Sequence, residues 1–389
     1  MKLFLLLYLM IYGGLHVYVL ARLQAAVPLS WPARIAVGAV LVFFVLCPVL
    51  IRLLERAGHE GAACFLSYVG YLWMGFIFLF FVTALLLELY RLLLFLATLL
   101  GWEPLSRLVP SPRFLLFLPL VVSLSVNLYG FFEARHIRIE RVVVHTDKLP
   151  TGSDGLRLVQ VSDVHVGMIV RGERLARICD AVRKAKPDLL VSTGDFVDGQ
   201  LDSLQDAMAQ WRAIDPPYGK YAVTGNHEFY AGLDSALAFT RDAGFRVLRN
   251  EADDRAIGGG RVRLVGVDDP TARQMGIFAG PKEEALLAAA AQGPPAFTIL
   301  LKHQPIVREG SPGGFDLQLS GHTHGGQIAP FGFITRLFFP HHRGYYELPR
   351  GSALYVSRGS GFWGPPVRFL SPPEVTVFEI RPSYRQRPG

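Results

Sequence analysis

The chain has 389 residues, a formal charge of +7 and a hydrophobic fraction of 51%. That length is too great for one small core, so two or more parts are expected, and a mean hydropathy of +0.32 is high for a soluble protein. Three scattered cysteines, Cys47, Cys64 and Cys179, exclude a disulfide framework or a cysteine metal knuckle, and no basic stripe interleaved with aromatics is present, which argues against a nucleic-acid partner.

From the amino terminus, the runs Leu3–Ala21, Ile35–Ile51, Gly61–Leu87 and Phe114–Phe132 contain no Lys, Arg, Asp or Glu. A bilayer core needs about 20 apolar residues per helix, so residues 1–132 are expected to form an all-α transmembrane domain of about four helices. Pro48 and Pro119 lie inside two of them, which membrane helices tolerate. The first run is long for the apolar part of a signal peptide. Residues 1–141 hold 11 Lys/Arg against 6 Asp/Glu, so the basicity sits beside the membrane, where it can meet anionic lipid. With four spans both ends share a side. Lys2, Arg52, Arg56, Arg135, Arg138 and Arg141 would lie there, against Arg22, Arg34, Arg91, Arg107 and Arg113 opposite. The positive-inside rule then favours a cytoplasmic carboxyl-terminal domain. Glu88 and Arg91 are spaced to pair at the end of the third helix, and His16 reads as a packed histidine.

Residues 133–155 read as a linker, charged at first and ending in the turn-forming cluster Lys148-Leu-Pro-Thr-Gly-Ser-Asp-Gly155. From 156 to 389, strands and helices alternate. Strands are expected at Leu156–Val161, Asp188–Ser192, Lys220–Thr224, Arg261–Val267, Phe297–Lys302, Asp316–Ser320, Ala353–Ser357 and Val375–Ile380. Helical apolar spacing marks Glu173–Lys186, the stripe Leu204, Met208 and Trp211, Asp234–Ala243 and Pro281–Ala291. This alternation points to a layered α/β domain. Gly258-Gly-Gly260 reads as a hairpin turn.

Five polar stretches each follow an expected strand: Asp163-Val-His165, Gly194-Asp-Phe-Val-Asp198, Gly225-Asn-His-Glu228, His303 before Gln304-Pro305, and Gly321-His-Thr-His324. Active sites of α/β proteins collect at the carboxyl ends of strands. On a backbone taken as extended, His322 and His324 are expected to reach two different metal ions.

At these residues the sequence resembles the calcineurin-like metallophosphoesterases, over roughly residues 156–380. The resemblance implies a four-layer α-β-β-α sandwich and a site with two divalent ions, Mn²⁺ as the first expectation and Fe, Zn²⁺ or Mg²⁺ as alternatives. It implies that Asp163, His165 and His324 bind one ion, that Asn226, His303 and His322 bind the other, and that Asp195 bridges both. His227 would contact the phosphate or protonate the leaving group, with Asp198 orienting it. Carboxylates and imidazoles suit these metals, and thiolates are absent. A closer likeness, to a membrane-anchored bacterial subgroup, rests on Gly321-His-Thr-His-Gly-Gly-Gln-Ile328, Tyr355-Val-Ser-Arg358, Pro365-Pro-Val-Arg-Phe369 and Pro373-Glu374. Enzymes similar to it hydrolyse UDP-2,3-diacylglucosamine, which implies a nucleotide-lipid or other phosphodiester substrate at a bacterial inner membrane. Phe331, Phe333, Leu337, Phe338 and Phe339 are placed to form an apolar lip beside the metals, or else a buried strand; His341, His342 and Arg343 follow. The competing expectations are a membrane-anchored phosphodiesterase for soluble nucleotides and a metal-binding membrane scaffold without turnover.

Overall fold

The computed structural model describes residues 2–150, 152–199 and 204–383. The chain divides into two compact units, one of residues 1–132 with Gly364–Val367, the other of Glu133–Trp363 with the residues from Arg368 onward.

The first unit is helical: α1 Lys2–Ala26, α2 Trp31–Arg56, α3 Glu60–Leu99 and α4 Pro112–Glu133. These four helices are long and apolar enough to cross a membrane. Ala26, Phe80, Ala84 and Leu116 form a buried contact among α1, α3 and α4. Gly70 lets α3 approach α2 so closely that a Cβ there would collide with Cys47 Sγ, the small-residue contact that membrane helices favour. α3 has 40 residues and runs well past the uncharged stretch Gly61–Leu87. Glu88 allows this because it accepts from Arg22 of α1, from Arg91 (2.8 Å) and from the Tyr18 hydroxyl (3.1 Å). His16 is packed as expected, with its Nε2 accepting from Trp73 Nε1 (2.9 Å).

The second unit runs β1 Arg138–Thr146, β2 Leu156–Val161, β3 Val166–Gly167, α5 Gly172–Ala185, β4 Leu189–Ser192, β5 Val197–Asp198, α6 Gln205–Arg212, β6 Lys220–Ala222, α7 Asn226–Ala231 and α8 Leu233–Asp242. It continues β7 Arg246–Val247, β8 Glu251–Ile257, β9 Gly260–Gly266, α9 Thr271–Gln274, α10 Glu283–Ala291, β10 Phe297–Leu301, β11 Leu317–Ser320, α11 Phe331–Phe338, β12 Gly344–Glu347, β13 Ala353–Val356 and β14 Glu374–Pro382. Two six-stranded mixed sheets result, ordered β1-β14-β2-β4-β6-β7 and β12-β13-β11-β10-β9-β8. Gly258 and Gly259 turn the hairpin of β8 and β9 at positive φ.

The strands β2, β4, β10 and β11 are apolar and buried almost throughout, the signature of parallel strands covered on both faces. Leu158, Leu189, Val191 and Tyr221 from the first sheet share one core with Val262, Leu264, Ile299, Leu317, Leu319 and Tyr355 from the second. The outer face of the second sheet is covered by α10, through Leu286, Leu287 and Ala290 against Val265 and Leu300. The apolar stripe of α5, Leu175, Ile178 and Val182, is likewise fully buried. The layers are therefore helix, sheet, sheet, helix.

Two expectations need correction. Residues 133–155 do not form a plain linker, because Arg138–Thr146 pairs in parallel with β14 along its whole length. Its exposed positions Arg141, Val143 and His145 alternate with half-buried Val142 and Val144, as an edge strand allows. Phe331–Phe338 is a helix, not a strand, and only Thr335 within it is buried.

Candidate metal centre

The carboxyl ends of β2, β4, β6, β10 and β11 meet at one place. The loop after β2 carries Asp163 and His165, and that after β4 carries Asp195. The loop after β6 carries Asn226 and His227, that after β10 carries His303, and that after β11 carries His322 and His324. Five of these residues hold left-handed backbone: Asp163 (φ 50°), His165 (54°), Asp195 (49°), His322 (72°) and His324 (49°). Non-glycine residues rarely adopt this conformation, and where several do, strain is being held in place by a functional site. The His322–His324 turn is therefore not extended, and this corrects the alternation argument, because residues two apart on an extended strand share one face. The left-handed turn lets the two rings diverge, His322 toward His303 (Nδ1 to Nε2, 3.2 Å) and His324 toward His165 (Nε2 to Nε2, 3.2 Å).

Glycine permits the convergence at two points. A Cβ at Gly321 would collide with Ser162 Oγ and Asp163 Oδ2, and one at Gly225 would collide with Asp195 Oδ1. Three overlapping triads result, Asp163–His165–His324, His165–Asp195–His227 and Asp195–His303–His322, each with its donor atoms within 4.8 Å of one another. Asp195 Oδ2 lies 3.1 Å from His303 Nε2 and 3.9 Å from His165 Nε2, and Asp163 Oδ1 lies 3.4 Å from His324 Nε2. His303 Nδ1 donates to the Thr193 carbonyl (2.8 Å), which aims Nε2 at the cluster. Asn226 opens α7, one residue past Gly225. His227 donates its backbone N–H to Asp195 Oδ1 (2.8 Å), and its Nδ1 lies 3.0 Å from Asp198 Oδ1.

Burial sets the charges. It pushes His165 down to about 4, helped by His227, and His322 down to about 3, helped by His303. Burial and the Arg368 guanidinium hold His324 well below the usual imidazole range. All three are thus neutral near pH 7, the form that ligates metal. Burial raises Asp163 to about 6. Burial alone would raise Asp195 and lower His227 and His303. The mutual attraction of Asp195 with these rings outweighs it, holding Asp195 well below the carboxylate range, lifting His227 to about 9 and holding His303 well above the usual imidazole range. Two buried polar atoms, Asn226 Oδ1 and His165 Nδ1, have no hydrogen-bond partner. Oxygen and imidazole donors converging on facing rings, with an orphaned amide oxygen beside them, fit divalent cations.

Two further residues support the cluster, and sequence reasoning gave them no role although both stand in motifs it quoted. Glu228 is buried and its carboxylate accepts from the backbone N–H of Asp195 (3.0 Å), Phe196 (2.7 Å) and Gly225 (2.6 Å). It thereby clamps the β4 loop to the start of α7, and burial together with Asp195 raises it to about 7. Arg368 is fully buried and donates to the carbonyls of His324 (3.1 Å), Arg358 (2.7 Å) and Gly361 (3.2 Å), with Nη2 3.1 Å from His324 Nδ1. Sequence spacing carries no sign that this arginine is internal.

Residues 156–326 match the family model described as calcineurin-like phosphoesterase. An uncharacterised metallophosphoesterase of Aquifex aeolicus is 40% identical over 67% of this chain and 98% of its own length. A second, from Helicobacter pylori, is 32% identical over 65% of this chain and 66% of its length. A zebrafish protein named transmembrane protein with metallophosphoesterase domain is 32% identical over 68% of this chain and 62% of its length.

Proposed function

Because this chain belongs to the calcineurin-like metallophosphoesterase family and is on that ground a hydrolase with membrane-length helices, we propose that it cleaves a phosphodiester or pyrophosphate bond in a lipid-borne substrate. The observation that carries the chemistry is the buried cluster of two aspartates, five histidines and Asn226 at five strand ends. In this reading Asp163, His165 and His324 hold one divalent ion, Asn226, His303 and His322 the second, and Asp195 is shared. Two such ions, when bound, would supply positive charge toward the phosphoryl group and acidity to a water in the site. The chain's own residues do the rest. His227 delivers a proton to the departing oxygen. Asp198 keeps the imidazole turned by its contact at Nδ1, and Asp195 favours the protonated ring. Mn²⁺ is the first choice of ion, with Fe, Zn²⁺ and Mg²⁺ as alternatives for an oxygen and nitrogen donor set.

The lipid-borne substrate is supported by the apolar residues beside the cluster. Phe339 packs its ring against His322 with centroids 4.9 Å apart, and exposed Phe333, Leu337 and Phe338 precede it. A nucleotide lipid such as UDP-2,3-diacylglucosamine combines a pyrophosphate with acyl chains and fits both features. Its synthesis on the cytoplasmic face of a bacterial inner membrane agrees with the distribution of basic residues around the four spans. A soluble nucleotide is the second reading, supported by exposed Tyr230 and Trp363, whose rings lie 5.7 and 6.2 Å from His227 and could stack on a base.

The test is UMP release from UDP-2,3-diacylglucosamine by full-length protein in detergent with Mn²⁺, with Asp195→Asn as the blank. Release by the wild type alone supports the reading. No release, with hydrolysis of soluble nucleotide diesters retained, moves the assignment to the second reading.

A further inference from the structure

The helix α11 is apolar and little buried, with Thr335 its one buried residue. Phe331, Phe333, Ile334, Leu337 and Phe338 are exposed at 46, 71, 46, 81 and 73%, although the helix has only eight residues. Leu370, 65% exposed, belongs to the same neighbourhood, because Arg343 Nη1 donates to its carbonyl (3.0 Å). A contiguous apolar patch of this kind on a folded unit marks an interaction surface.

The helix is fixed to the metal cluster rather than hung from it. The backbones of Gly326 and Gly332 touch so closely that a Cβ at Gly326 would collide with Gly332 Cα. Thr323, between the two cluster histidines, donates its hydroxyl to the His342 carbonyl (2.6 Å). Whatever holds α11 therefore holds His322 and His324 as well.

The charge pattern identifies the occupant. From Leu317 to Tyr346 the sequence contains no Asp or Glu, while Arg336 and Arg343 lie within or just after the helix. A short apolar face in a carboxylate-free segment that carries Arg336 and Arg343 suits an anionic bilayer interface, where phenylalanine and leucine enter the acyl boundary and arginine meets phosphate. The same chain carries four helices of membrane length. We propose that α11 lies in the lipid interface as an additional membrane contact, holding the metal-binding loop at the bilayer surface. This deepens the lipid-substrate reading but does not depend on turnover.

The experiment places an environment-sensitive NBD label at Phe338→Cys in full-length protein carrying Cys64→Ser, in nanodiscs of phosphatidylcholine and phosphatidylglycerol. The comparison site is Glu309→Cys, an exposed position in a loop outside the helix. Doxyl-labelled lipid should quench the label at 338 at least threefold more than at 309, with blue-shifted emission at 338 alone. Equal, weak quenching at both sites overturns the proposal. Shielding at 338 that appears only when discs hold more than one copy also overturns it, and assigns the face to a second chain. Neither readout involves metal or hydrolysis, so the contact can fail while the catalytic reading stands.

Discussion

Replacing Arg368 by methionine keeps most of the stem volume and removes every donor. Two effects then oppose each other. The carbonyls of His324, Arg358, Gly361 and Ser371 lose a charged partner, at about 1–3 kcal/mol for each buried group left unsatisfied. Burial already pushes the guanidinium down to about 9, so removing a strained cation returns part of that loss, and a net destabilisation of about 2–4 kcal/mol is expected. The larger consequence is local. The His324 carbonyl keeps Ser371 Oγ (2.6 Å), but its ring loses the Arg368 contact at Nδ1 (3.1 Å), and loss of such an outer partner weakens metal binding about 10–100-fold. Titration of full-length Arg368→Met with Mn²⁺ should show one ion weakened by that factor and the other unchanged, with turnover restored by excess metal. Val375→Ala, a buried change with no contact to His324, is the control for destabilisation alone. If both ions weaken together, in proportion to the fall in Tm and equally in the control, the positioning argument is refuted.

Glu228→Gln leaves an amide NH₂ facing backbone N–H groups; a loss of about 1–3 kcal/mol and a fall in kcat with little change in KM are expected, read by thermal unfolding and steady-state kinetics. His227→Ala should lower kcat about 10²–10⁴-fold for esters with poor leaving groups, far less for p-nitrophenolate, which needs no proton, with metal content unchanged by elemental analysis. Chelation should abolish turnover and lower Tm, because ions held at 100 times their Kd stabilise the folded state by about 2.7 kcal/mol; scanning calorimetry with and without chelator checks this.

The core strands and the loops that follow them are legible because parallel buried strands leave a plain mark, an apolar run ending in polar residues. Leu317–Ser320 followed by Gly321-His-Thr-His324 is the clearest case. Backbone conformation is hidden by comparison: nothing in the letters of Asp163, Asp195 or His322 reveals a left-handed φ, so the extended reading of the His322–His324 pair misses the turn. Arg138–Thr146 is obscured because an exposed edge strand can carry charge as a linker does. The Phe-rich run 331–338 favours a strand by intrinsic preference, yet folds as an exposed helix anchored by the close contact of Gly326 and Gly332. Arg368 is invisible for a third reason, since burial of a lone arginine depends on backbone carbonyls brought together from distant loops.

The most direct measurement is the number of Mn²⁺ ions bound per chain, by calorimetric titration of metal-free full-length protein, alongside Mn²⁺-dependent hydrolysis of bis(p-nitrophenyl) phosphate, for the wild type and Asp195→Asn. Two ions in the wild type, fewer in the variant, and hydrolysis by the wild type alone are expected. Hydrolysis without metal, undiminished hydrolysis by Asp195→Asn, or a wild type that binds no ions would contradict the binuclear account.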